Sequence, residues 1–219
     1  MEDRFGNIWV GSEYAGMIRI VKPRSYIRFV RPETETVIGK TNNVRTIFED
    51  SHGNIWVGAK NGNLYVYNAE LTVGKCIGES LNPYALVEDD QQRMWVGTKG
   101  NGLYLSDINT FRETEHFVHT GEQENSLSHD VIFHIIKDNK NKMWIGSFGG
   151  GLSLAENHNK NITFKHFISN KGSKSLIRCL FQDSKGMIWA GSSDGVIKFD
   201  PDELIENPEK YISYTMDMN

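Results

Sequence analysis

Four residues that stand eleven positions before a tryptophan differ in chemistry where their neighbours stay apolar: Arg45, Tyr84, Phe133 and Arg178. A guanidinium offers bidentate hydrogen bonds to oxygen and an aromatic ring offers an apolar face. This mixture suits a sugar, whose hydroxyls and ring faces need both. Two sets of loops surround them. The first adds Asn42, Asn43, Pro83, His129, Asp130 and Lys174, and the second adds Glu13, Tyr14, Lys60, Asn61, Lys99, Asn101, Phe148 and Asp194. From these, Arg45, Tyr84, His129, Asp130, Arg178, Lys60, Lys99 and Phe148 form the expected ligand-binding set.

Other reactive side chains point to less. His116, His119, His129 and His134 fall in a short span. His116 and His119 stand three apart in an expected strand, point to opposite faces and make poor paired ligands. His134 aligns with Thr46, Ala85 and Cys179 and reads as a buried, hydrogen-bonded core residue. No glycine-rich phosphate loop, nucleophile elbow or His-Glu zinc motif occurs, so no catalytic residue, metal or cofactor is expected. Cys76 and Cys179 fit neither a zinc nor a CxxC spacing and leave the redox compartment open. With 24 basic against 28 acidic residues, a net charge of −4 and no long basic run, a nucleic-acid partner is not expected. No stretch approaches the ~20 apolar residues of a spanning helix, and the N-terminus lacks a signal-peptide pattern, so no membrane contact by this segment is expected.

The elements that must position the candidate residues follow from a repeat. Trp9, Trp56, Trp95, Trp144 and Trp189 lie 47, 39, 49 and 45 residues apart in a chain of 219 residues. Asp3, Asp50, Asp89, Asp138 and Asp183 each stand six before a tryptophan, and Gly11, Gly58, Gly97, Gly146 and Gly191 two after. Short apolar runs precede each of the last four aspartates (Val44 to Phe48, Ala85 to Val87, Val131 to Ile136, Ile177 to Phe181) and read as buried strands. The Asp-x-x-Gly stretch suits a tight turn, because Asp can accept backbone N–H groups ahead of it and Gly takes positive φ. A second strand holds the tryptophan, a third follows a glycine loop, and a fourth is aromatic-rich (Tyr26 to Val30, Phe164 to Ile168, Tyr211 to Thr215).

Four antiparallel strands per unit, with tryptophan and glycine at fixed offsets, are the signature of a β-propeller blade. The expected fold is all-β: one propeller segment over residues 1–219, with blades at about 1–32, 42–80, 82–119, 128–169 and 175–216. Repetition assigns the Asp, Trp and Gly positions to scaffolding, since a catalytic group is needed once. Only Met1-Glu2-Asp3 represents the innermost strand of the first blade, so the array reads as a piece of a larger propeller. Its open edges and apolar end faces predict self-association.

At these residues the sequence resembles the two-component regulator propeller repeat. The resemblance rests on Asn43-Val44 leading to Glu49-Asp50, on Gly53-Asn54-Ile55-Trp56-Val57-Gly58, and on Gly149-Gly150-Gly151-Leu152. It departs in having five repeats rather than seven, in lacking signalling domains, and in the third and fourth turns, where Gln91-Gln92-Arg93 and Asn139-Lys140-Asn141 replace the turn glycine. The resemblance implies a non-enzymatic, periplasmic sensor module of a hybrid histidine kinase that binds, or transmits the binding of, oligosaccharides. It also implies further blades and sensor domains of a parent protein as partners. The alternatives are a propeller lyase similar to virginiamycin B lyase, which would need His and Glu around a divalent metal, and a protein-interaction scaffold.

Overall fold

The computed structural model describes residues 1–12, 16–20, 27–30, 43–69, 71, 74–121, 126–158, 161–168 and 172–215. The apolar runs form the expected strands, grouped in five antiparallel sheets. The first sheet contains β1 (Ile8–Ser12), β2 (Gly16–Ile20) and β3 (Ile27–Val30). The second contains β4 (Val44–Glu49), β5 (Ile55–Ala59), β6 (Leu64–Tyr67) and β7 (Gly74–Gly78). The third is β8 (Pro83–Glu88), β9 (Arg93–Thr98), β10 (Leu103–Asp107) and β11 (Glu113–Phe117). The fourth is β12 (Ile132–Lys137), β13 (Met143–Ser147), β14 (Gly151–His158) and β15 (Asn161–Phe167). The fifth is β16 (Ile177–Gln182), β17 (Ile188–Ser192), β18 (Gly195–Phe199) and β19 (Ile212–Thr215), with helix α1 (Pro201–Glu206) between its last two strands. The fold is a run of propeller blades whose innermost strands β4, β8, β12 and β16 neighbour one another in chain order.

One carboxylate organises each turn. Asp138 Oδ1 accepts the backbone N–H of Lys140 at 2.8 Å and of Lys142 at 2.9 Å, while Oδ2 accepts the Trp144 indole N–H at 2.9 Å. The same three bonds recur at Asp3 with Trp9, Asp50 with Trp56, Asp89 with Trp95 and Asp183 with Trp189. The aspartate thus satisfies two turn donors and the one polar atom of a ring that is otherwise buried in hydrocarbon.

Where the turn glycine is missing, the backbone is unchanged: Gln92 has φ 60° and Asn141 φ 61°, close to the 84° of Gly53. Left-handed backbone costs a residue with a Cβ about 1–2 kcal/mol, and Asn bears it more easily than Gln. Gln92→Gly is therefore expected to stabilise the protein by about 0.5–1 kcal/mol after the entropy of the new glycine is subtracted. A urea midpoint that falls would refute this.

Blades pack through their tryptophans. Trp9 joins Ile55, Val57 and Tyr65 of the second blade, and Trp56 joins Leu86, Met94 and Val96 of the third. Trp95 joins Ile135, Met143 and Ile145 of the fourth, and Trp144 joins Ile188, Ala190 and Phe199 of the fifth. The glycine two residues later keeps the interface close. A Cβ at Gly97 would stand 2.6 Å from Cγ2 of Ile132, and one at Gly146 2.6 Å from Cγ2 of Ile177, each the first residue of the next innermost strand.

A second, polar joint links consecutive blades at the far end of the innermost strands. Glu49 accepts Arg4 N at 3.2 Å and Nε at 3.0 Å, and Glu88 accepts Ser51 N and Oγ, both at 2.6 Å. Lys137 Nζ donates to Asp90 at 2.7 Å, and Gln182 accepts Asn139 N at 2.8 Å. In every case the residue seven before a tryptophan reaches the turn of the preceding blade.

The array has two bare ends. Met1 and Glu2 pair with β1, through Trp9 N to Met1 O at 2.7 Å and a Glu2–Ile8 bridge, which makes them the expected stub of an innermost strand. On the side of the first sheet away from Trp9, Ile8, Val10 and Ile20 are exposed. On the outer side of the fifth sheet Phe181 is 65% and Tyr214 49% exposed, and Trp189 is half-buried where its four counterparts are at most 2% exposed.

Candidate functional site

The innermost strands share an irregularity that places the candidate residues. Pairing skips one residue between Val44 and Thr46, Pro83 and Ala85, Ile132 and His134, and Ile177 and Cys179. The unpaired residues are Arg45, Tyr84, Phe133 and Arg178. A β-bulge leaves one residue out of the ladder and re-aims its side chain, so four successive blades each deliver one side chain toward the same end of the propeller.

These side chains meet. The Arg45 guanidinium carbon lies 4.4 Å from the Tyr84 ring centroid, Tyr84 stands 4.9 Å from Phe133 at 31°, and Phe133 stands 5.2 Å from Phe148 at 46°. Arg178 closes the row, its guanidinium carbon 4.8 Å from the Phe148 centroid, and Lys99 Nζ lies 6.0 Å from Tyr84. The result is a continuous stack of three rings flanked by guanidinium groups, each contact a favourable cation–π or aromatic pair. Phe148 and Lys99 enter from the ends of the tryptophan strands, where Phe148 N donates to Val131 O at 2.8 Å and Lys99 N to Asn82 O at 2.9 Å. The sequence suggested that a ligand stacks on the ring faces. In the structure the rings contact one another at tilts of 31° and 46°, and Arg45 and Arg178 lie over Tyr84 and Phe148, so much of those faces is already occupied within the chain.

The remaining candidates behave differently. His129 Nδ1 accepts Val131 N at 3.0 Å, and the Asp130 carboxylate accepts His119 N at 2.6 Å, so both side chains fix the loop that enters β12. Lys60 is exposed, and its N–H donates to Asn43 O at 2.8 Å. Glu13, Tyr14 and Asn42 lie outside the described residues, as does the side chain of Lys174. Among the described residues Arg45 Nη1 is buried without an acceptor and Asn43 Oδ1 without a donor.

Behind the stack, a cleft of about 800 Å³ runs between the innermost strands from Tyr84 past Thr46, Ala85 and His134 to Glu88 and Lys137. His134 is half-buried in this wall rather than in the core, because its strand position faces the cleft. Its Nδ1 accepts Leu180 N at 3.3 Å. Burial lowers the His134 pKa below the ordinary imidazole value, and burial is also the first cause of the lowering at His166, whose ring bridges Ser153 and Ser126. Both groups bind their proton more weakly folded than unfolded. Stability is thus fully present above the unfolded imidazole value of about 6.5 and declines as pH falls below it. The expected result is a lower thermal midpoint at the acidic end, part of which disappears in His134→Gln. A pH-independent midpoint would exclude this account.

His116 and His119 are held apart by different carbonyls, Asn101 O and Leu127 O, each at 2.7 Å. The opposite-faces argument does not apply to them, since β11 ends at Phe117. Among the described residues no three His, Cys, Asp or Glu side chains stand together as a metal site, and no helix is long and apolar enough to cross a membrane. Cys76 and Cys179 are both exposed, and Cys76 Sγ donates to Gly78 O at 3.7 Å.

The two-component regulator propeller model matches residues 39–61, 78–100, 126–149 and 171–194, each match spanning one bulged innermost strand, its turn and its tryptophan. None of the curated proteins compared with this sequence matches it. Among solved structures, the extracellular domain of the one-component system BT4673 from B. thetaiotaomicron superimposes with a TM-score of 0.75 at 20% identity, over 99% of this chain and 31% of that one. The extracellular domain of the hybrid two-component system BT3049 from the same organism gives 0.72 at 21% identity, over 98% and 29%. A catalytically inactive virginiamycin B lyase from Staphylococcus aureus, solved with quinupristin, gives 0.70 at 12% identity, over 100% and 69%. The chain spans about three-tenths of the length of the two B. thetaiotaomicron domains. With the fold common to all three, the repeat-level matches decide the kinship: this chain is built of two-component regulator propeller repeats, four matched in register and a fifth around Trp9 sharing their Asp, Trp and Gly.

Proposed function

We propose that this chain is part of the extracytoplasmic sensor module of a hybrid two-component histidine kinase, located in the periplasm. In this reading it is a non-catalytic segment that recognises an oligosaccharide at the stack of Arg45, Tyr84, Phe133, Phe148 and Arg178. One observation supports this above the others: four bulges, at the same position of four blades, turn side chains of unlike chemistry out of the scaffold and into one row. The bulge recurs with the scaffold, and what changes from blade to blade is the chemistry of the side chain it presents. The likeness to extracellular domains of B. thetaiotaomicron signalling systems agrees in setting.

In this proposal the parent protein supplies further blades against the bare faces at Ile8 and Val10 and at Phe181 and Trp189, together with the sensor and kinase domains. Ligand binding changes output by favouring one of two arrangements of the assembled protein. Isothermal titration of the full-length protein against glycan fragments tests the reading. Binding that disappears in Tyr84→Ala and Phe148→Ala supports it, and failure of every fragment that induces the linked genes sinks it.

A further inference from the structure

The donor and acceptor balance of the stack narrows what it can recognise. Apart from the Tyr84 hydroxyl, its polar groups are guanidinium and ammonium: Arg45, Lys99 and Arg178. Such groups donate hydrogen bonds and accept none. A neutral sugar hydroxyl is both donor and acceptor, and a site shaped for it interleaves amides or carboxylates with its cations. Glu79, Asp130 and Asp194 sit in loops at this end, but none forms an ion pair with the three cations among the described residues. Among the described residues Arg178 has Ser193 Oγ at 3.4 Å as an acceptor, and Arg45 Nη1 has none.

Arg45, Lys99 and Arg178 therefore bring three cationic groups into one row against the rings. From this we infer that the ligand of the stack is an anionic oligosaccharide, one bearing carboxylate or sulfate groups that meet Arg45 at one end of the row and Arg178 at the other, with Lys99 between. The inference rests on the oligosaccharide reading of the same residues. The ring geometry disfavours a flat nucleobase, since the faces of Tyr84 and Phe148 are already covered by guanidinium groups and Phe133 lies between them. A puckered, acid-bearing ring held through its charged groups needs no such face.

Three pairs of probes test the inference with the intact chain: trigalacturonate and its methyl ester, a chondroitin sulfate tetrasaccharide and its desulfated methyl ester, and a heparin tetrasaccharide treated likewise. At least one acidic member is expected to bind about tenfold or more tighter than its neutral counterpart, and to weaken several-fold between about 50 and about 200 mM salt. Arg178→Gln, on an exposed side chain, and Arg45→Gln should each remove most of that preference, while Tyr84→Phe keeps it. Salt dependence of the unaltered chain gives the answer even if the Arg45 variant fails to fold. Equal binding of acidic and neutral members overturns the anionic inference and leaves the oligosaccharide reading standing. No binding by any of the six overturns both.

Discussion

Asp138→Ala is expected to remove about 3–5 kcal/mol of folding stability, enough to unfold the fourth blade at ordinary temperature. The carboxylate is 3% exposed and accepts three hydrogen bonds, from two turn N–H groups and from the Trp144 indole. Alanine leaves all three donors without a partner, and a buried unsatisfied donor costs about 1–3 kcal/mol. Asp138→Asn should fall between, since its Oδ1 can still serve the turn while its amide meets the indole N–H donor to donor. Urea denaturation followed by circular dichroism measures both. A loss under about 1 kcal/mol for alanine would mean that neighbouring water already serves the turn, against the scaffold role assigned here.

The second large effect separates two residues of the same type and repeat position. Trp144→Ala should cost about 3–5 kcal/mol, the usual range for removing a buried tryptophan, because its ring is fully buried between Phe167 and Phe199 with centroids 5.8 and 5.4 Å away. Trp189→Ala should cost about 1 kcal/mol, because its ring is half-buried on the outer face of the last blade, covered by Lys198 at 4.7 Å and Tyr214 at 6.3 Å. Equal costs in a monomeric sample would show that something covers the Trp189 face. Repeating the comparison with added blades should raise the Trp189 value toward that of Trp144.

Both predictions concern the features most legible in the sequence, and for a physical reason. The bond from Trp to Asp closes in each blade with the two residues six positions apart, so the spacing recurs wherever the turn does, and periodicity alone reveals it. The bulges left a fainter mark. Arg45, Tyr84, Phe133 and Arg178 mix guanidinium with aromatic chemistry, and only their constant distance from tryptophan, each just after an apolar residue, singled them out. What the sequence did not convey was that the four side chains touch, or that Phe133, excluded from the expected ligand set, is the middle ring.

The joints between blades were illegible for the opposite reason. The residue seven before tryptophan is Glu in two of these blades and Lys or Gln in the other two, so the residue type and its charge are not constant even though the contact is. Helix α1 was missed despite a readable signal. Asp200 accepts Asp202 N and Glu203 N as an N-cap, Pro201 occupies the first turn, and Leu204 is buried. His129 and Asp130 attracted notice as chemical types, but their side chains are occupied by the loop itself, as such residues often are where a strand begins.

Those variable joints have a bearing on how such arrays could be lengthened by copying. A tandem duplication of the second blade would set Glu49 of the copy against Ser51 of the original, repeating the Glu88–Ser51 joint already present. A duplication of the third blade would set Glu88 of the copy against Asp90 of the original, two carboxylates where the chain now has the Lys137–Asp90 pair. Recombination between blades is therefore not neutral: some insertions fit as they stand, and others require a compensating charge change before the lengthened ring can close.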